Sequence, residues 1–294
     1  MPNYSDNYLN FNNSMFRDSD SRVPRVSPIE FEANPAAVAL SVEDLAEQYR
    51  QFLVAEKLSL LPPPIDSFAV GTPEKRKADQ QWVAEQKKRH MLRKSEIGIM
   101  LERMLQAEIL RSGWFAGARF FRTSEFDDFH GIDGVLEWKT AGGTMLRLAV
   151  DLTGDTTEER LEDKLRRERK LVRVEYFRTA ATETTPAMDT SIEVPLVVLG
   201  LNGSVLPGIL KELKTKKNLK GHWAEVGYLL QAMWQLNRQL NAKKPSDPAF
   251  TPVEFMYQAL QARVQAKEKE PAFLRLTGAT EELFSPFLTP PPGN

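Results

Sequence analysis

Residues 131–153, GIDGVLEWKTAGGTMLRLAVDLT, constrain the fold of this chain more than any other segment. Two runs of alternating apolar and polar residues flank the pair Gly142-Gly143, the signature of two antiparallel strands joined by a tight turn. Loop length then decides which side chains share a face, because a slip of one residue inverts a whole strand. A two-residue loop puts Asp133 and Asp151 on opposite faces. A three-residue loop, Ala141-Gly142-Gly143, pairs Thr140 with Thr144 and gives Gly143 the left-handed position. In that register Asp133 faces Asp151, Val135 faces Ala149 and Glu137 faces Arg147. The opposite face is then wholly apolar, with Ile132, Gly134, Leu136 and Trp138 against Leu152, Val150, Leu148 and Leu146. One face becomes a core surface and the other carries a cross-strand ion pair. The three-residue register is therefore predicted.

Its chemical consequence is specific. Directly opposed residues have Cβ atoms about 4.5–5.5 Å apart. Two carboxylates at that separation repel unless a cation lies between them. Asp151 is flanked by LRLAV and Leu152, a dry neighbourhood in which an unpaired ionised carboxylate costs several kcal/mol. A hard divalent cation with oxygen ligands resolves both problems. The competing reading is that each aspartate caps a turn or pairs with a nearby arginine.

Around this hairpin the chain divides by composition. Residues 1–35, rich in Asn, Ser, Asp and Pro, read as a mobile tail. Residues 36–95 read as an N-terminal helical region. Its first helix is capped at Ser41 and ends near Leu58, before a linker that starts at Pro62-Pro63-Pro64 and reaches Gly71. Thr72-Pro73 opens a second helical stretch. It either runs unbroken to Ser112-Gly113 or breaks near Ser95, where eight Lys and Arg residues between Lys75 and Lys94 give way to the apolar EIGIMLERMLQAEIL. Residues 96–203 read as an α/β core. After the apolar helix come strands at ARFFRTS, GIDGVLEWKT and MLRLAVDLT, a helix from Thr156 to Leu171, and strands at VRVEYFR and EVPLVVLGL. Residues 204–285 read as a C-terminal helical region, with helices at 204–214, 222–242 and 252–268, and 286–294 as a proline-rich tail. Trp223, Tyr228 and Trp234 are assigned to the core face of the middle helix.

Composition excludes several classes. The absence of cysteine removes disulfides and thiolate metal sites. His90, His130 and His222 lack paired ligand spacing, so zinc is not expected. The N-terminus has no basic start and no apolar run, and no stretch approaches 18 apolar residues, so a soluble cytoplasmic protein is expected. A formal net charge of -1 means that any nucleic-acid binding must come from local basic patches, at Lys75–Lys94, Arg160–Arg173 and Lys211–Lys220. No P-loop, dinucleotide fingerprint or nucleophile elbow is present.

From about Glu96 to Leu201, a third of the chain, the order of elements and acidic residues resembles the PD-(D/E)XK nuclease superfamily. That superfamily has a restriction-endonuclease-like αβββαβ core with a mixed sheet. It is also similar to a group of bacterial proteins of that class with a DD-x(4)-D segment, a later D-x-T and a downstream lysine, here DDFHGID, VDLT and Lys164. The resemblance implies a metal-dependent nuclease hydrolysing phosphodiester bonds of DNA or RNA. It implies that Glu102, Asp133 and Asp151 bind Mg2+ or Mn2+. The slot two residues after Asp151, lysine in the family, holds Thr153. Some members carry this lysine on the next helix, which makes Lys164, in line with Arg160 and Arg167, the counterpart. Asp128, on the loop that also carries Asp127 and His130, either assists the metal or holds the loop through an Asx turn.

Glu137-Trp138-Lys139 is a literal E-x-K, but the register assigns Glu137 to Arg147. The alternative functional reading follows from Thr153: a catalytically inactive nuclease fold that binds nucleic acid or serves as a scaffold. A third is a helical adaptor whose function lies in the terminal additions.

Overall fold

The computed structural model describes residues 42–89, 96–140, 143–153, 164, 171–179, 187–201, 209, 212–213, 216, 218–241 and 250–267. Among them are six α-helices and a five-stranded mixed sheet. The helices are α1 (Val42–Ala55), α2 (Pro73–Arg89), α3 (Glu96–Arg111), α4 (Glu125–Phe129), α5 (Trp223–Asn241) and α6 (Phe250–Lys267). The strands are β1 (Arg119–Arg122), β2 (Gly134–Lys139), β3 (Met145–Thr153), β4 (Leu171–Arg178) and β5 (Asp189–Gly200), in the spatial order β1-β2-β3-β5-β4.

The β2–β3 ladder has the three-residue register: Gly134 faces Val150, Val135 faces Ala149 and Glu137 faces Arg147. Thr140 N–H donates to the Thr144 carbonyl at 2.9 Å, and Gly143 takes a φ of 83°, the conformation that glycine reaches without a steric penalty. The predicted cross-strand ion pair is present, with Arg147 Nε 2.7 Å from Glu137 Oε2. β3 also pairs in parallel with β5, and β1 pairs antiparallel with β2.

β5 is long enough to serve two partners. Leu196–Gly200 runs parallel to β3, while Asp189–Pro195 pairs antiparallel with β4. The sheet curls so that Phe177 of β4 reaches Phe121 of β1, with ring centroids 5.7 Å apart, although these strands lie at opposite ends of the order. This corrects one expectation. The face bearing Glu137 and Arg147 is itself a core surface, where Val135, Ala149, Val174, Phe177, Val194 and Leu196 pack together. Ile132 belongs to that cluster as well, and not to the Leu136 face. It precedes β2, directly after Gly131 at a φ of 76°, so strand alternation does not extend to it.

The Leu136 face packs against helices. Leu136, Trp138, Leu148, Val150 and Leu152 share one cluster with Met100 and Leu105 of α3, Tyr49 and Leu53 of α1, Tyr228 and Leu236 of α5, and Met256 and Leu260 of α6. The regions 36–95, 96–203 and 204–285 thus contribute to a single core. Burying one leucine of this kind stabilises a fold by roughly 1.5–3 kcal/mol. α2 ends at Arg89 and α3 begins at Glu96, and the point near Ser95 at which the helical stretch either continues or breaks lies outside the described residues. α1 ends at Ala55 rather than Leu58, where Lys57 adopts a φ of 59° and Leu58 N–H bonds back to the Leu53 carbonyl. Within the proline-rich linker, Ile65–Ser67 form a 3-10 turn whose Ile65 is fully buried with Phe68, Val83 and Tyr176. Of the expected helix at 156–171, only Lys164, which is helical, and Leu171, which opens β4 instead, are among the described residues.

Gly134 sits where β1 crosses the start of β2. A Cβ there would lie 2.2 Å from Phe120 Cζ and 2.9 Å from the Phe121 carbonyl oxygen. Gly134→Ala is expected to cost about 1–3 kcal/mol, since the ring can rotate but the backbone oxygen cannot. Urea denaturation measures it, and a midpoint equal to that of the parent would refute it.

Candidate metal centre

α4 is the local device that shapes this site. Asp127 and Asp128 were expected on a loop, but they lie on α4, whose N-cap is Ser124. The Ser124 hydroxyl accepts from Asp127 N–H at 3.2 Å and donates to the Asp127 carboxylate at 2.7 Å. Five residues are too few for periodicity to reveal, so the S-x-x-D signal alone could have found the helix. Asp127 also accepts the backbone N–H groups of Glu175 at 2.7 Å and Tyr176 at 3.1 Å, which fastens α4 to β4. Burial pushes its carboxyl group up from the usual range, while those hydrogen bonds pull it down. Asp127 is therefore a structural staple, and its neighbour Asp128 faces the site.

Glu102, Asp128 and Asp133 converge. One carboxylate oxygen from each lies within 4.8 Å of the others, and Glu102 and Asp133 are buried. Glu102 comes from α3, Asp128 from α4, and Asp133 from the residue preceding β2. Asp133 is held at both ends. Its N–H donates to the Val150 carbonyl at 2.9 Å, and its Oδ2 accepts Leu152 N–H at 2.6 Å. The side chain thus completes the hairpin ladder beyond the last paired residue.

Asp151, 2% exposed, is not one of the three clustered acids; its Oδ1 pairs with Lys164 Nζ. The residues Asp133 and Asp151 stand beside each other, because Asp133 binds the amide next to Asp151. Thr153, also buried, ends β3 opposite Gly200. Arg160 lies outside the described residues.

Sequence reasoning missed Arg122. Its Nη2 lies 2.7 Å from Glu102 Oε2, its Nη1 donates to the Leu60 carbonyl at 3.1 Å, and both side chains of the ion pair are almost completely buried. The signal was the pairing of β1 with β2, which sets Arg122 opposite Gly134, one residue from Asp133. His130 closes α4 on the solvent side. Its Nδ1 lies 2.8 Å from the Phe126 carbonyl, which can only accept, so Nδ1 carries the proton. The ring stacks on Trp82 at 4.6 Å and 20°.

The donor set is all oxygen and anionic, grouped tightly enough to share one ion, which suits a hard divalent cation. Among the described residues of the basic segments, several are engaged within the protein. Lys75 contacts Asp79 at 2.7 Å and Glu175 at 2.8 Å, Lys87 pairs with Glu125, Arg173 with Glu175 at 2.8 Å, and Lys216 with Glu212 at 2.7 Å. Among the described residues, no helix is long and apolar enough to cross a membrane. Compared with known families, curated proteins and solved structures, the chain matches none of them.

Proposed function

We propose that this protein is a metal-dependent phosphodiesterase of the PD-(D/E)XK type, acting on DNA or RNA. The observation that carries the reading is the convergence of Glu102, Asp128 and Asp133 from three separate elements, with Lys164 reaching Asp151 on the adjoining strand. The connectivity is compatible with it. A helix, α3, precedes three antiparallel strands, and β5 returns parallel to β3.

In this reading Glu102, Asp128 and Asp133 would hold Mg2+ or Mn2+, with Asp151 at the margin. The ion would supply a bound water of lowered pKa and a positive charge beside the phosphate. Lys164 takes the role of the lysine missing at Thr153. Its ammonium group screens Asp151 and presents a cation toward the developing phosphate charge. Arg122 orients Glu102 through their 2.7 Å ion pair. Burial of Asp151 and Asp133 excludes competing solvent, which strengthens each of these interactions.

The test is hydrolysis of single- and double-stranded DNA and of RNA with Mg2+ or Mn2+, stopped by a chelator. Lys164→Met is expected to lower the rate by about a hundredfold while leaving divalent-cation binding intact. A variant as fast as the parent would remove Lys164 from the mechanism. Cation binding without hydrolysis of any nucleic acid would favour the second reading, a nuclease fold that binds nucleic acid or serves as a scaffold without cutting. That reading draws on Thr153 in the lysine slot and on the mutual neutralisation of Lys164 and Asp151.

A further inference from the structure

We propose that Trp82 is a positioning residue for the candidate metal centre: through α4 it holds Asp128 within reach of Glu102 and Asp133. The inference rests on the metal reading above and deepens it, by assigning the placement of one ligand to a separate part of the fold. α3 and the β2–β3 hairpin, which carry Glu102 and Asp133, pack in the cluster that holds Leu105, Leu136 and Leu152. The two phenylalanines of α4 belong elsewhere. Phe126 and Phe129 pack in a third cluster, with Ile65 and Phe68 of the linker, Val83 of α2 and Tyr176 of β4. The acid that α4 contributes is therefore placed by different side chains from the other two.

Contacts from the linker and α2 converge on α4. The Trp82 ring lies 5.4 Å from Phe126 and 6.2 Å from Phe129, and it stacks on His130 at 4.6 Å. The Glu125 N–H donates to the Pro63 carbonyl at 3.1 Å, and the Glu125 carboxylate pairs with Lys87. Asp127 ties α4 to β4, and the residues that Trp82 touches flank Asp128 on both sides, so the indole fixes the helix about that tie. α2 itself is lightly held. Among its described residues Val83 is the one that is fully buried, and Asp79 accepts the Tyr176 hydroxyl at 2.5 Å. Its ion pairs at Lys75 and Lys87 involve exposed lysines, which contribute little each. Ring packing at Trp82 is the directional part of the contact. Residues behind a ligand set its orientation and hence the affinity for the ion.

The experiment is calorimetric titration of Mn2+ into the full-length protein, with amide hydrogen exchange read over residues 124–130. Trp82→Ala is expected to weaken Mn2+ binding about tenfold, and Trp82→Phe, which keeps a ring, to restore most of it. In an Asp128→Asn background Trp82→Ala should weaken binding no further. Exchange should quicken in α4 and stay as in the parent across the β2–β3 hairpin. Parent-like affinity in Trp82→Ala would overturn the inference. So would an equal loss with and without Asp128, since that would mean general loosening. If Trp82→Ala does not fold, Trp82→Leu, which keeps apolar bulk without a ring, carries the same comparison. Absence of any Asp133-dependent binding in the parent would sink the metal reading itself. Exchange in α4 that ignores Trp82→Ala would sink the role of Trp82 whatever the metal result.

Discussion

Asp133→Asn is expected to fold like the parent and to bind Mg2+ or Mn2+ at least about a hundredfold more weakly, since one of three anionic ligands is lost from a poorly solvated centre. Asparagine keeps an oxygen for Leu152 N–H, which Asp133 Oδ2 accepts at 2.6 Å, and changes chiefly the charge. Stability should therefore fall by no more than about 1 kcal/mol. Asp133→Ala removes ligand and acceptor together, and should cost about 1–3 kcal/mol besides. The pair of variants separates the two functions of one carboxylate. Calorimetric titration and thermal unfolding measure them. An asparagine variant that binds the ion as tightly as the parent would exclude Asp133 from the centre. An asparagine variant as unstable as the alanine one would show that the charge itself stabilises the hairpin end.

Gln235→Leu is expected to destabilise the fold by about 2–5 kcal/mol. Gln231, Gln235 and Gln239, one turn apart on α5, point at alternate residues of β5. Gln235 accepts Val198 N–H at 2.6 Å and donates to the Val198 carbonyl at 2.7 Å. Gln231 does the same to Gly200, at 3.0 and 2.8 Å, and Gln239 donates to Leu196 at 2.8 Å. Four helical residues rise about 6 Å and two strand residues about 6.6 Å, so the helix and strand stay in step over three repeats. All three glutamines are almost wholly buried. Leucine at 235 fills similar volume but strands one N–H and one C=O of Val198 in the core. At roughly 2–4 °C per kcal/mol for a domain of this size, the melting temperature should drop by about 4–20 °C. A drop of only a degree or two would mean that the strand edge does not need these side chains.

The hairpin was legible because its information is local and periodic. Alternation over residues 134–152 selects one register, and the pairing of Glu137 with Arg147 follows from it. The boundaries of α2 were readable at its start, from Thr72-Pro73, because a proline there lacks only an N–H that the helix would leave unpaired anyway. The site was legible in its acids and not in its cations. Arg122 and Glu102 are 20 residues apart on elements whose contact depends on how α3 lies across the sheet, which no periodicity encodes. Asp128 was ambiguous because a five-residue helix leaves no repeating pattern. The buried second face escaped notice because the sheet covers it by curling on itself. The glutamine ladder escaped because glutamine at helical spacing reads as a solvated face unless a strand edge is known to lie opposite.

That ladder bears on how the protein meets other chains. The stretch of β5 that β4 leaves uncovered would otherwise offer a row of amides and carbonyls to any passing extended peptide. With those groups already occupied by side chains of α5, intermolecular sheet growth along this rim is blocked. The fold thereby resists amyloid-like association along this stretch of β5, whose residues Leu196–Leu199 stay buried.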